Sequence, residues 1–138
     1  MLYEDPDLYD ALLPASRDHV QFYDQLAGVH GGPVLELACG SGQLIVPLAR
    51  KGRRAVGIDN SPQMLQAARR RAAAVGVQVE LVEGDMRNFD LGERFSMIFI
   101  ARNSLLHLSA TADFAELFSS VRRHLASGGV LAFDVFNP

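Results

Sequence analysis

The chain carries one cysteine in 138 residues, Cys39. No internal disulfide is possible, and without partner thiols or clustered histidines Cys39 makes no metal site, so it reads as a small buried residue in a turn. Positive charge is also short: 13 Lys and Arg stand against 16 Asp and Glu, a net charge of −3. That balance offers no electrostatic footprint for nucleic acid. The one dense basic run, Arg69-Arg70-Arg71, falls on a predicted helix whose other face is apolar, and reads as a solvated helix face. The longest apolar runs, such as Met97-Ile98-Phe99-Ile100-Ala101, are strand-sized and far below a membrane span. The amino terminus has neither a basic start nor a signal-type apolar stretch, so a cytoplasmic protein without a membrane partner is expected. No repeat, linker or low-complexity segment breaks the chain. With 49% hydrophobic and 21% charged residues, one domain over 1–138 is expected.

What is present is an alternation of strand and helix patterns. Ser16 caps a helix to Ala27, with Val20, Tyr23, Leu26 and Ala27 on one face. Strands are predicted over 34–37, 55–58, 77–82, 95–101 and 130–136. Between them lie helices from about 42 to 51, loosened at its start by Pro47, from Ser61-Pro62 to Val75, and through Phe114, Leu117, Phe118, Val121 and Leu125. Such alternation implies right-handed crossovers and a parallel α/β sheet, Rossmann-like and doubly wound, with its ligand at the carboxyl ends of the strands. Residues 1–30 form a helical cap ahead of a core over 33–138.

The first strand stops abruptly in Glu36-Leu37-Ala38-Cys39-Gly40-Ser41-Gly42, where small residues let the main chain turn sharply beside a ligand. Seventeen residues after Gly42, Asp59 closes the second strand, placed to accept hydrogen bonds from ribose hydroxyls. A dinucleotide loop started at Gly40 needs glycine at 45, and the residue there is Ile45; this disfavours a dehydrogenase. A phosphate loop needs a lysine after the glycines, and none follows. The anionic Glu36 repels phosphate and suits a ligand carrying an ammonium and a sulfonium.

These stretches resemble the class I S-adenosylmethionine-dependent methyltransferases. Glu36 to Gly42 is similar to that family's first motif, with Ala38 in place of the usual first glycine. Gly57-Ile58-Asp59-Asn60-Ser61-Pro62 resembles the second, Glu83-Gly84-Asp85-Met86 the third, and Leu125 to Leu131 the lead into the fifth strand. The resemblance implies a three-layer αβα fold of strand order 3-2-1-4-5 and S-adenosylmethionine as cofactor. It assigns Glu36 to the methionine ammonium, Asp59 to the ribose, Asp85 to the adenine amino group and the Met86 N–H to a ring nitrogen. Ala38, Gly40, Gly42, Asn60, Met64 and Arg102 complete the cofactor set. Tyr3 and Tyr9 precede the first helix, where the family often folds an aromatic over the cofactor; simple packing is the other reading.

Methyl transfer asks the protein mainly for proximity and alignment, and sometimes a base. Two roles fit His107: base toward an amine or hydroxyl acceptor, or a histidine that satisfies the following helix or loop. Asn103 either orients an acceptor or caps the next helix. The motif around Gly84 to Phe89 and the Asn103 to His107 stretch look most like members that methylate small molecules, amino sugars among them. The family's sheet has seven strands and this chain ends after the fifth, which reads as truncation. Strand five then becomes an edge, and self-association through it is expected. The rival from another class is a non-catalytic module that holds S-adenosylmethionine or S-adenosylhomocysteine without turnover.

Overall fold

The computed structural model describes residues 4–102 and 104–135. Its first helix, α1 (Pro6–Leu12), was not anticipated, although its start signals are present: the Asp5 side chain accepts the Leu8 N–H at 3.1 Å, and Pro6 takes the first helical position. Helix α2 (Arg17–His30) begins where expected, with Ser16 Oγ accepting the His19 N–H at 3.0 Å, and runs three residues beyond Ala27. Strand β1 (Val34–Leu37) follows, entirely buried.

Helix α3 (Ile45–Ala49) is shorter than the sequence pattern implied. Proline is tolerated only in a first turn, so Pro47 sets the helix start at Ile45 rather than 42. Strand β2 (Ala55–Asp59) leads to α4 (Pro62–Ala74), capped by Ser61 Oγ on the Met64 N–H at 3.2 Å. Strand β3 (Glu80–Glu83) starts later than the expected residue 77. The Val77 N–H still donates back to Ala72 O, and the ladder with β2 opens only at Val56 and Glu80; the apolar alternation of Val77 and Val79 serves packing rather than pairing.

Strand β4 (Phe95–Ile100) is followed by a 3-10 turn at Ser104–His107 and by α5 (Thr111–His124), which passes without a loop into β5 (Leu125–Phe133). That strand begins five residues before the expected 130: Leu125 pairs with Phe95, the register then slips, and regular pairing resumes at Val130 with Met97. All pairs are parallel, in the order β3-β2-β1-β4-β5 that the family resemblance implied. Helices α2, α3 and α4 cover one face, over Val34, Met97 and Phe99. The other face holds Leu35, Leu37, Ile98 and Ile100 under α5 and Phe89. No helix among the described residues is long and apolar enough to cross a membrane.

The turn after β1 needs left-handed backbone three times, at Ala38 (φ 56°), Gly40 (φ 56°) and Gly42 (φ 82°). A Cβ at Gly42 would stand 3.1 Å from both Ala68 Cβ and Val46 Cγ2, so a side chain there would also be crowded by the neighbouring helices. At Ala38 the methyl is carried at a strain of about 1–2 kcal/mol. Ala38→Gly is therefore expected to match or exceed the native stability, by up to about 1 kcal/mol after the unfolded-state entropy of glycine is counted. Gly42→Ala is expected to lose about 1–3 kcal/mol. Urea unfolding measures both, and a Gly42→Ala protein as stable as the native one would refute the packing argument.

Candidate functional site

Parallel register places the end of β1 beside the end of β2, with Leu37 opposite Ile58. The turn is then bonded to β2: the Cys39 N–H donates to Ile58 O at 2.9 Å, and the Gly40 N–H donates to Asp59 Oδ2 at 2.8 Å. The Ser61 N–H donates to Asp59 Oδ1 at 2.9 Å. Each carboxylate oxygen thus holds one backbone donor and keeps capacity for another. Desolvation raises the Asp59 pKa, opposed by those backbone N–H groups and by the nearby His107. Beyond Asp59 opens a cavity of about 360 Å³.

Ala38, Gly40, Asp59, Asn60 and Met64 line it together with Asp85, Met86, Arg87 and Asp113, and Tyr9 and His107 border it as well. Asp85 sits in a tight turn after β3, where it accepts the Arg87 backbone N–H at 2.9 Å and the Arg87 guanidinium at 2.6 Å. Those side-chain bonds hold its carboxyl below the usual carboxylate range.

Glu36 lies deeper, in a small niche shared with Tyr9, Ala38, Cys39 and Arg102. It is a carboxylate in the middle of a fully buried strand, 3% exposed, and its Oε1 has no hydrogen-bond partner among the described residues. Burial raises its pKa well above the usual range, and the charge of Asp59 adds to this; Arg102 and the Ile45 N–H work the other way. A buried carboxylate oxygen without a donor costs several kcal/mol.

Helix α1 covers the turn. Asp10 accepts from Ser41 Oγ at 2.5 Å, Gln43 Nε2 at 2.8 Å and the Arg71 guanidinium at 2.7 Å. Arg71 also donates to Ser41 O at 3.0 Å. Arg69 and Arg70 are exposed, as read from sequence; Arg71 is instead turned onto the cap. Arg102, at φ 61°, donates its N–H to both Asp134 oxygens at 3.0 Å, and its guanidinium bonds Leu13 O and lies 5.4 Å from the Tyr9 ring centroid.

The described residues named from sequence therefore gather at one cleft, with Gly42 as the exception. Gly42 borders neither the cavity nor the niche; its lack of a side chain serves the packing of α4. Asn103 and Tyr3 lie outside the described residues. Sequence reasoning missed Asp10, Arg71, Asp113 and the role of Arg87. Asp10 rides on α1, which Asp5-Pro6 announces, whereas the ion pairs join residues from distant elements and carry no local signal.

The methyltransferase-domain family model matches residues 34–129. The chain is 31% identical over 135 residues to the dTDP-3-amino-3,4,6-trideoxy-alpha-D-glucopyranose N,N-dimethyltransferase of Streptomyces venezuelae, covering 93% of this chain and 55% of that protein. Among solved structures, an S-adenosylmethionine-dependent methyltransferase from Clostridium acetobutylicum superposes with a TM-score of 0.84 at 26% identity, over 94% of this chain and 55% of that one. The glycopeptide N-methyltransferase MtfA complexed with S-adenosylmethionine gives 0.71 at 36% identity, over 81% and 48%. The chain spans about half the length of the relatives it matches. By fold, motif order and family match, the chain belongs to the class I S-adenosylmethionine-dependent methyltransferase family.

Proposed function

We propose that this chain is the cofactor-binding domain of a methyltransferase that transfers a methyl group from S-adenosylmethionine to a nitrogen or oxygen of a small molecule. The observation that carries the reading is the buried Oε1 of Glu36 behind the turn, without a donor among the described residues, beside a cavity lined by the carboxylates of Asp59, Asp85 and Asp113. Such an oxygen calls for a cation carrying N–H groups, and an α-ammonium supplies one. Asp59 takes the ribose hydroxyls with the acceptor capacity its two backbone bonds leave. Asp85 takes the adenine amino group, and Tyr9 covers the cleft. When bound, the cofactor supplies a methyl group already activated by its sulfonium. The protein's part is to align the acceptor, and His107, on the cavity wall, is placed to hold or take its proton. Relatives acting on an amino sugar and a glycopeptide nitrogen support an amine acceptor.

Direct tests are calorimetry with S-adenosylmethionine, S-adenosylhomocysteine and NAD, and a methyl-transfer assay with amine and hydroxyl acceptors. NAD binding without response to the other two sinks the proposal. Cofactor binding without turnover on either acceptor class would favour the non-catalytic module.

Asp59 yields a sharper prediction. Bonds to a charged group contribute about 1.5–3 kcal/mol each, so Asp59→Ala is expected to weaken S-adenosylhomocysteine binding at least about tenfold. The native protein is expected to prefer adenosine over 2′,3′-dideoxyadenosine, and Asp59→Ala to lose that preference. A retained preference would show that Asp59 only braces the turn.

Glu36 predicts a proton linkage. Its folded-state pKa is raised, so the ligand-free native state binds a proton more tightly than the unfolded chain. Stability therefore falls as pH rises from the ordinary glutamate range, about 4.3, toward the raised value. Glu36→Gln is expected to remove this decline and to unfold at a higher temperature than the native protein near neutral pH. Arrival of the ammonium ionises Glu36, so cofactor binding releases a proton that Glu36→Gln does not release. Calorimetry in two buffers of different ionisation enthalpy reads the difference, and identical proton release in both proteins would remove Glu36 from the site.

Strand β5 ends the sheet, with Phe133 47% and Val135 44% exposed at its carboxyl end. Self-association of this 138-residue chain through that open edge is expected; sedimentation at several concentrations checks it, and a strict monomer would refute it.

A further inference from the structure

Asp85 does not face the cavity as a free carboxylate. Arg87 Nε stands 3.0 Å from each of its oxygens, the guanidinium reaches Oδ2 at 2.6 Å, and the Arg87 backbone N–H reaches Oδ1 at 2.9 Å. The same guanidinium reaches across to Asp113 Oδ1 at 3.1 Å, in the first turn of α5. Further along, Ser120 Oγ donates to Arg87 O at 2.9 Å, and the Leu91 N–H donates to His124 Nε2 at 3.0 Å. The loop after β3 is thus pinned to α5, and Arg87 is where that pinning reaches Asp85.

Magnitude separates a stabilising role from an orienting one. The side chains of Asp85 and Arg87 are 44% and 42% exposed, and ion pairs of that exposure contribute about 0–1 kcal/mol to stability. Geometry is another matter. A carboxylate offers about four acceptor positions, and three donors here make four contacts with them, the Arg87 Nε–H being shared between the two oxygens. The carboxylate is thus held on both oxygens and has little freedom to turn in the cavity it lines together with Arg87 and Asp113.

We propose that Arg87, braced by Asp113, is a positioning residue that fixes the orientation of Asp85 and thereby makes the site select a 6-aminopurine nucleoside over its 6-oxo counterpart. The inference rests on the reading that Asp85 meets the exocyclic amino group and that the Met86 N–H meets N1. A 6-oxopurine presents an acceptor at position 6 and a donor, N1–H, next to it. A carboxylate free to swing moves from the first position to the second and accepts that N1–H. One clamped on both oxygens does not follow, and it is left facing a carbonyl oxygen. Discrimination between the two bases comes from the clamp as much as from the carboxylate.

The test compares the affinities of S-adenosylhomocysteine and S-inosylhomocysteine by calorimetry in the native protein, Asp85→Ala, Arg87→Ala, Arg87→Lys and Asp113→Asn. The native protein is expected to favour the adenosyl ligand at least about tenfold, as a site built around one donor does. In Arg87→Ala the ratio is expected to drop to within about threefold, because one bidentate constraint is gone. Arg87→Lys supplies a charge without the planar fork and is expected to restore the ratio only in part. Asp113→Asn lowers it without touching Asp85, and with Arg87→Lys it carries the test if Arg87→Ala fails to fold. Equal losses for both ligands in Arg87→Ala, with the ratio unchanged, would reduce Arg87 to a structural brace and overturn the proposal. If Asp85→Ala collapses the ratio while the Arg87 variants keep it, the inference about Arg87 falls and the reading of Asp85 stands. A native ratio in Asp85→Ala would overturn both.

Discussion

The cleft depends on how β1 ends. A parallel strand buried on both faces has to leave the sheet at its carboxyl end without exposing unpaired backbone, and this chain does so through a left-handed turn whose N–H groups are taken by the neighbouring strand. The bond from Gly40 N–H to Asp59, at 2.8 Å, closes that arrangement. It holds the small-residue turn against the end of β2, and it leaves the remaining acceptor capacity of Asp59 at the cavity wall. Without Ala38 and Gly40 at positive φ the turn would not bring its backbone to that carboxylate. The buried Glu36 two residues earlier depends on the same turn, since its niche is walled by Ala38, Cys39 and Gly40.

Glu36, Asp59 and Asp85, three of the carboxylates at the cleft, would repel one another if all were free and ionised, and the fold treats each differently. Glu36 is desolvated, and its acidity is weakened accordingly. Asp59 is intermediate: burial pushes it up and backbone N–H donors pull it back. Asp85 is more open and is held below the usual range by Arg87. The gradient runs from an acid weakened by burial in the niche to a carboxylate clamped by Arg87, so the cleft offers distinct environments to distinct parts of one ligand. Two fasteners hold its rims: Asp10 draws α1 onto the turn through Ser41, Gln43 and Arg71, and α5 secures the loop after β3. Both join segments far apart in sequence, by 31 to 61 residues at Asp10 and by 33 at Ser120.

The parallel α/β alternation, the turn after β1 and the acid closing β2 were legible in sequence because each has a local cause, whereas the sheet order and the role of Asp85 came from the family resemblance. Val34 to Leu37 is an apolar run that stops at small residues, and Ser61-Pro62 marks a helix start in two residues. Local pattern failed where pairing or packing decided instead. Val77 and Val79 alternate like a strand yet precede the ladder, and Leu125 pairs with Phe95 across a register slip that no period announces. Gly42 shows the same limit at the site: its place in the motif suggested a ligand contact, whereas the neighbouring Ala68 and Val46 are what would crowd a side chain there.

By itself the sequence determined where small residues turn the chain after β1, where Ser61-Pro62 starts a helix and that Asp59 sits at a strand end, since each follows from residue type and spacing within a few positions. Tertiary structure alone decided what each acid faces: that Glu36 has one oxygen with no donor among the described residues, that Asp59 is bound from two sides, that Asp85 is clamped through Arg87 to α5. Acidity, orientation and access depend on which distant groups share a low-dielectric neighbourhood, and only the packed sheet and its helices bring those groups together.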